Sequence, residues 1–146
     1  MMENTAAASE LKVIVFQLME KEYAIPVSQV RSIEKVEYIT RVPKAAPYVK
    51  GVINLRGVVT PVIDLRSRFS LPKEEHTEDT RIIIAGINDM EVGLVVDAAN
   101  DVLDIHSDGI ESQPEVVGSV EAGYISGVAK IEKRLLVLLN LEEVLN

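Results

Sequence analysis

GVINLRGVVTPVIDL, residues 51–65, and GVAKIEKRLLVLLNL, residues 127–141, are the two stretches whose comparison decides the fold. Laid over each other with an offset of 76, seven of the eight apolar residues in the first meet an apolar residue in the second. Each reads as two strands around a short polar break, which in the first copy is Arg56-Gly57, a natural tight turn. Working outward, an offset of 69 lays residues 13–33 over 82–102 without a gap, and ten of twelve apolar residues match. The same order recurs in both halves: a strand hairpin, a short helical turn, then Gly-Val and a second hairpin. Such recurrence marks an internal duplication, with pseudo-repeats of about 11–70 and 80–146. Between them, residues 71–79 are charged, lack apolar periodicity and read as an exposed linker, and residues 1–10 read as a flexible tail.

The 146 residues include 21 Val and 14 Ile but only 2 Phe, 4 Tyr and no Trp, so β-branched aliphatics dominate the core-forming set. These side chains suit a pleated, half-buried surface, and the chain is expected to be mostly β. Two copies of about 60 residues with several short strands each predict two small β-barrels. Each alone has a thin core, so they are expected to share one apolar interface. Short helices are predicted at LRSRFSL (residues 65–71) and LEEVLN (residues 141–146). Val27, Val30 and Ile33 fall three apart, which predicts a helical turn over SQVRSIEKV, followed by a strand from Glu34 to Val42.

Composition excludes several classes. With 15 basic and 23 acidic side chains the net charge is −8, which disfavours general nucleic-acid binding. There is no Cys, hence no disulfide, thiolate metal site or Cys nucleophile. No apolar run approaches membrane-span length, and MMENTAAASE has no secretory character, so a cytoplasmic protein is expected. His76 and His106 stand alone in charged segments without a His partner at i+3 or i+4. Asp97, Asp101 and Asp104 are spaced like one helix face, yet the Gly and Glu of a calcium loop are missing, leaving capping or solvated roles. No phosphate-binding loop or nucleophile elbow occurs. The chain reads as a non-enzyme without cofactors or metal. An autonomous small-molecule-binding barrel would need convergent polar groups in a pocket, and only aliphatic stripes are visible.

Charge is segregated: residues 30–70 hold eight basic and three acidic groups, residues 71–126 two basic and thirteen acidic. This arrangement predicts one basic and one acidic end able to meet differently charged partners. Two stripes, Val27, Val30 and Ile33 in the first copy and Val96, Ala99 and Val102 in the second, are equivalent and are expected to flank the seam between the barrels. A groove there would accept an amphipathic helix. The hairpin turns differ most between the copies, Asn54-Leu55-Arg56-Gly57 against Lys130-Ile131-Glu132-Lys133, which makes the first a candidate contact loop.

VKGVINLRGVVTPVIDLR (residues 49–66), MEVGLVVDAANDVLDI (residues 90–105) and RLLVLLNLEEVL (residues 134–145), in this order, resemble the CheW family of bacterial chemotaxis coupling proteins. The likeness runs from Leu11 to Asn146. It implies two intertwined, five-stranded SH3-like β-barrels around a shared hydrophobic core. It also implies a non-catalytic adaptor that joins chemoreceptor cytoplasmic tips to the regulatory domain of the histidine kinase CheA, recruited to receptor arrays but not inserted into the membrane. By position, the resemblance assigns Ile14, Val27, Val30, Ile33, Ala99 and Val102 to a receptor-binding groove. It assigns Ile39, Val42, Leu55, Arg56 and Gly57 to a kinase-binding barrel end, and Glu111, Glu115 and Val116 to a second kinase contact. Three departures stand out. Ser32 occupies a position where some relatives carry an acid able to pair with the loop arginine, and Glu34 is the nearest substitute. Glu111 stands where some relatives have Arg, and Ala99 is smaller than the aliphatic residue some place in the groove.

Overall fold

The computed structural model describes residues 10–36, 38–72, 74–111 and 122–145. In chain order, β1 (Glu10–Leu18) and β2 (Lys21–Pro26) form a hairpin, and a 3-10 turn (Val27–Gln29) leads into β3 (Val30–Lys35). A second hairpin, β4 (Val49–Leu55) and β5 (Val58–Asp64), ends in helix α1 (Leu65–Arg68). The pattern then repeats as β6 (Arg81–Ile87), β7 (Met90–Val96), β8 (Ala98–His106), β9 (Ile110–Glu111), β10 (Ile125–Ile131), β11 (Arg134–Leu139) and α2 (Leu141–Leu145). The first strand takes in Glu10, one residue earlier than its apolar pattern indicated.

Among the described residues the strands form a six-stranded sheet, β9-β10-β11-β2-β1-β8, and a five-stranded sheet, β3-β6-β7-β5-β4. Each contains strands from both halves of the chain, so the barrels are intertwined as expected and are built by strand exchange. The sixth strand, β9, has only a one-residue counterpart in the other sheet, the isolated bridge of Thr40 to Val52. Both sheets carry one parallel seam at matching places, Leu138 beside Ala24 and Val62 beside Gly93. Because the exchange is reciprocal, the operation that maps one half onto the other also maps it back; the relation is an approximate two-fold. Backbone hydrogen bonds obey it: Asp64 N donates to Tyr48 O and Asn140 N to Tyr124 O, each at 2.8 Å.

Strand exchange explains why the apolar runs are continuous where a half-exposed strand would alternate. On β1, Val13 and Val15 fill a small core inside the six-stranded barrel, while Phe16 and Leu18 face the large core between the barrels. On β6, Ile82 and Ile84 fill the small core of the five-stranded barrel, while Ile83 and Ala85 join the shared one. A strand buried on both faces needs apolar side chains at every position. An aromatic series crosses the shared core, Phe16 to Tyr23 at 5.9 Å, Tyr23 to Phe69 at 6.1 Å and Phe69 to Tyr124 at 5.3 Å between ring centres.

The three-residue spacing of the stripes has a different origin from the helical turn expected. Only Val27–Gln29 is helical, and β3 begins at Val30 and ends at Lys35, short of the strand expected to run to Val42. Pairing slips by one residue at Arg31, with Val30 opposite Ala85 and Ile33 opposite Ile83. This β-bulge turns residues three apart onto one face. The same slip at Asn100 places Ala99 opposite Phe16 and Val102 opposite Ile14. Likewise Asp101 and Asp104 lie on β8 and Asp97 just before it, so these three share no helix face.

Near the two-fold, Arg68 is held between equivalent tyrosines, its guanidinium carbon 4.3 Å from the Tyr48 ring centre and 5.1 Å from that of Tyr124. Its Nε donates to the carbonyl of Val144 in α2 at 2.8 Å, which ties both helices together. We expect Arg68→Ala to cost about 1–2 kcal/mol. Urea denaturation monitored by circular dichroism checks this, and Arg68→Lys recovers part of the loss.

Candidate functional site

The bulges on β3 and β8 set which way the residues of the expected groove face. Ile14 pairs across strands with Val102, and the two-fold mate of this pair is Ile83 with Ile33. Ile33 and Val102 keep 42% and 57% of their surface exposed, whereas Ile14 keeps 7%, so the partners form a covered floor and the other two an exposed apolar rim. Val30 and Ala99 are half-buried against the shared core. Val27 lies on the 3-10 turn, which packs against both β1 and β6. The six expected groove residues therefore lie on or beside β1, β3 and β8, strands drawn from both barrels.

The second group gathers at one end of the five-stranded barrel. Arg56 and Gly57, at φ 52° and 85°, make the two-residue turn between β4 and β5, where Leu55 pairs with Val58. Two consecutive positive φ values match the right-handed twist of the flanking strands. Asn54 Oδ1 accepts from Gly57 N at 2.8 Å, which fixes the turn and leaves the Arg56 side chain 75% exposed. Its Nη2 lies 3.8 Å from Glu34 Oε2, so Glu34 is the ion partner and Ser32 is not. The hydroxyl of Ser32 is instead buried without a hydrogen-bond partner. Ile39 and Leu55, with Val36 and Ile53, half-cover the small core of Val62, Ile82, Ile84 and Val95, and Val42 is 43% exposed.

Of the third group, Glu111 is exposed on β9, paired with Val128 on β10. Glu115 and Val116 lie outside the described residues. Glu111 occupies the place on its barrel that Thr40 occupies on the other: a Cβ on Gly127 would meet Ile110 and Glu111, and one on Gly51 would meet Ile39 and Thr40. Glu111 thus stands at the end of its barrel equivalent to that of Ile39 and Thr40 on the other. Charge sorts between the barrels as it does along the chain, because β6 and β7, the part of the acidic segment that joins β3, β4 and β5, carry only Arg81 and Glu91, whereas β8 and β9 of the other sheet carry Asp101, Asp104 and Glu111.

Three polar clusters were invisible in sequence. Arg134 on β11 donates to both carboxylate oxygens of Glu22, at 3.0 and 2.7 Å, and to Asp101 at 3.0 Å; these hydrogen bonds, Glu22 first, raise its pKa. Arg66 is held by Asp97 in the same bidentate way, and that hydrogen bonding raises its pKa against the opposing effect of burial. His76, within the linker, lines a small hollow together with Arg66 and Asp97, and burial together with Lys50 pushes its imidazole pKa down. The partners of each arginine are 31 to 112 residues away, too far for any local pattern to announce them. Among the described residues no cluster of three or more His, Asp or Glu stands in position to hold a metal ion.

The family model for the CheW-like domain matches residues 12–146. The chain belongs to the CheW family. The chemotaxis protein CheW of Bacillus subtilis (strain 168) is 54% identical to it over 135 residues, covering 92% of this chain and 86% of that protein. The chemotaxis protein CheW of Helicobacter pylori is 37% identical over 135 residues, covering 92% and 81%. A solved CheW structure, that of the scaffolding protein TtCheW from Thermoanaerobacter tengcongensis, matches with a TM-score of 0.84 at 35% identity, covering 89% of this chain and 88% of that one. Among the described residues of this CheW-family chain, no helix is long and apolar enough to cross a membrane.

Proposed function

We propose that this chain is a non-catalytic chemotaxis adaptor that joins chemoreceptor cytoplasmic tips to the regulatory domain of the histidine kinase CheA. Membership of the CheW family supports the scaffold role, and one structural observation carries the finer reading. The exposed apolar rim of Ile33 and Val102 flanks a seam whose floor is already filled by the chain's own core. An amphipathic helix of a receptor tip lays its apolar face along such a rim. Ile14, Val27, Val30 and Ala99 support the walls. Kinase contact falls to Ile39, Val42, Leu55, Arg56 and Gly57, with the opposite barrel end around Glu111, Glu115 and Val116 as a second contact.

Coupling then follows from simultaneous binding to one rigid body, so that receptor state biases kinase activity. Repetition of weak contacts across an array adds avidity without a strong pairwise affinity. The chain acts in the cytoplasm, held at the membrane through the receptors.

Calorimetric titration of the intact chain against a receptor-tip fragment and against the CheA regulatory domain tests this. Both bind in the micromolar range, and Val102→Asp weakens the receptor tip by about tenfold while kinase affinity stays within about twofold. Absence of kinase binding by the folded chain overturns the adaptor reading.

A further inference from the structure

The chain passes between the barrels twice, from β2 to β3 through Val27–Gln29 and from β7 to β8 through Asp97. The approximate two-fold makes these crossings equivalent, with Ser28 in the place of Asp97 and Glu142 in the place of Arg66. Among the described residues, the side-chain ion pair lies at the second of them. Asp97 Oδ1 accepts from Arg66 Nε at 2.8 Å, and its Oδ2 accepts from Arg66 Nη2. The same Oδ2 accepts from Met19 N at 2.7 Å, and Asp97 N donates to Gln17 O at 2.9 Å. Arg66 Nη1 donates to Pro72 O at 2.9 Å. The Arg66–Asp97 pair therefore links the helix of the five-stranded barrel, the β1–β2 turn of the six-stranded barrel and the start of the linker. Arg66 and Asp97 side chains are 12% and 28% exposed. At the other crossing the 3-10 turn has no side-chain cap, and Gln29 Oε1 is buried without a partner.

Both crossings border the groove, since Val27 and Val30 flank the first and Ala99 and Val102 follow the second. We propose that Arg66 and Asp97 are positioning residues whose ion pair sets the angle between the barrels and, with it, the separation of the groove walls β3 and β8. Its use in receptor binding rests on the adaptor reading given above. A bidentate, largely covered pair holds two bodies in one geometry, where a single flexible contact does not.

The absence of Cys lets two cysteines be placed cleanly, at Lys35 on β3 and Asp104 on β8, both exposed and one in each barrel. Spin labels there report the inter-barrel distance in the full chain. Asp97→Asn is expected to broaden the distance distribution and to weaken receptor-tip binding about tenfold, with kinase binding within about twofold. Leu136→Ala, buried inside the six-stranded barrel away from the crossing, lowers the melting point but keeps the distribution narrow. Should Asp97→Asn fail to fold, Arg66→Lys removes the bidentate geometry while keeping the charge, and the same broadening is expected. A narrow, wild-type distribution in the folded variant overturns the proposal. So does an equal loss of both affinities, which marks a merely structural pair. If the unmodified chain binds no receptor tip, the adaptor reading fails and the label distances alone decide the positioning role.

Discussion

Gly51→Ala is expected to lower the melting temperature by about 10 °C, corresponding to more than about 3 kcal/mol. Gly51 sits at φ 152°, next to the slip in β4 pairing where Val49 faces Ile63 and Gly51 faces Val62. A Cβ there falls within the carbonyl of Thr40 and 2.9 Å from Ile39 Cγ2. The carbonyl is backbone and is held by the reciprocal bonds Thr40 N to Val52 O at 2.9 Å and Val52 N to Thr40 O at 2.8 Å. Relief therefore requires opening that bridge, with loss of two hydrogen bonds and displacement of Ile39 from the barrel mouth. Gly109→Ala is the control, because nothing lies within 4 Å of its Cβ. Differential scanning calorimetry separates the two, and similar melting points for both variants would show that the loop around Thr40 yields freely.

Arg56→Asp is expected to weaken binding to the CheA regulatory domain by about thirtyfold, roughly 2 kcal/mol, at low salt. Its melting point stays near that of the wild type. The side chain is 75% exposed, and its pair with Glu34 at 3.8 Å is too open to water to contribute more than about 1 kcal/mol to the fold. Reversal places a carboxylate beside Glu34 and repels an acidic partner surface, while the Asn54–Gly57 bond still holds the turn. Titration calorimetry at two salt concentrations reads the change, which shrinks as salt screens the exposed charge. An unfolded variant would mean that Arg56 is a structural residue, and unchanged affinity would remove this loop from the kinase interface.

The two predictions differ in how much of them a sequence reader could reach. Arg56-Gly57 announces itself as a tight turn between two strands, and the contrast with Glu132-Lys133 marks it as a special position. Gly51 recurs as Gly127, but nothing local reveals that each glycine faces the backbone of a distant edge segment. The spacing of Val27, Val30 and Ile33 misled in an instructive way. A period of three reads as helix when strands are assumed regular, whereas a bulge at Arg31 produces the same period from extended backbone. The bulge leaves Val30 facing the shared core and Ile33 exposed.

By itself the sequence determined the duplicated order of hairpins, the mostly β class, the apolar residues of the cores and the family, because these depend on side-chain pattern along short segments. The tertiary structure decided which half supplies which strand. Apolar periodicity states that a strand has two buried faces but not what buries them, so exchanged and contiguous barrels share one pattern. The tertiary structure likewise chose Glu34 over Ser32 for Arg56 and joined Arg66 to Asp97, since charged side chains find their partners across the sheets and crossings that exchange brings together.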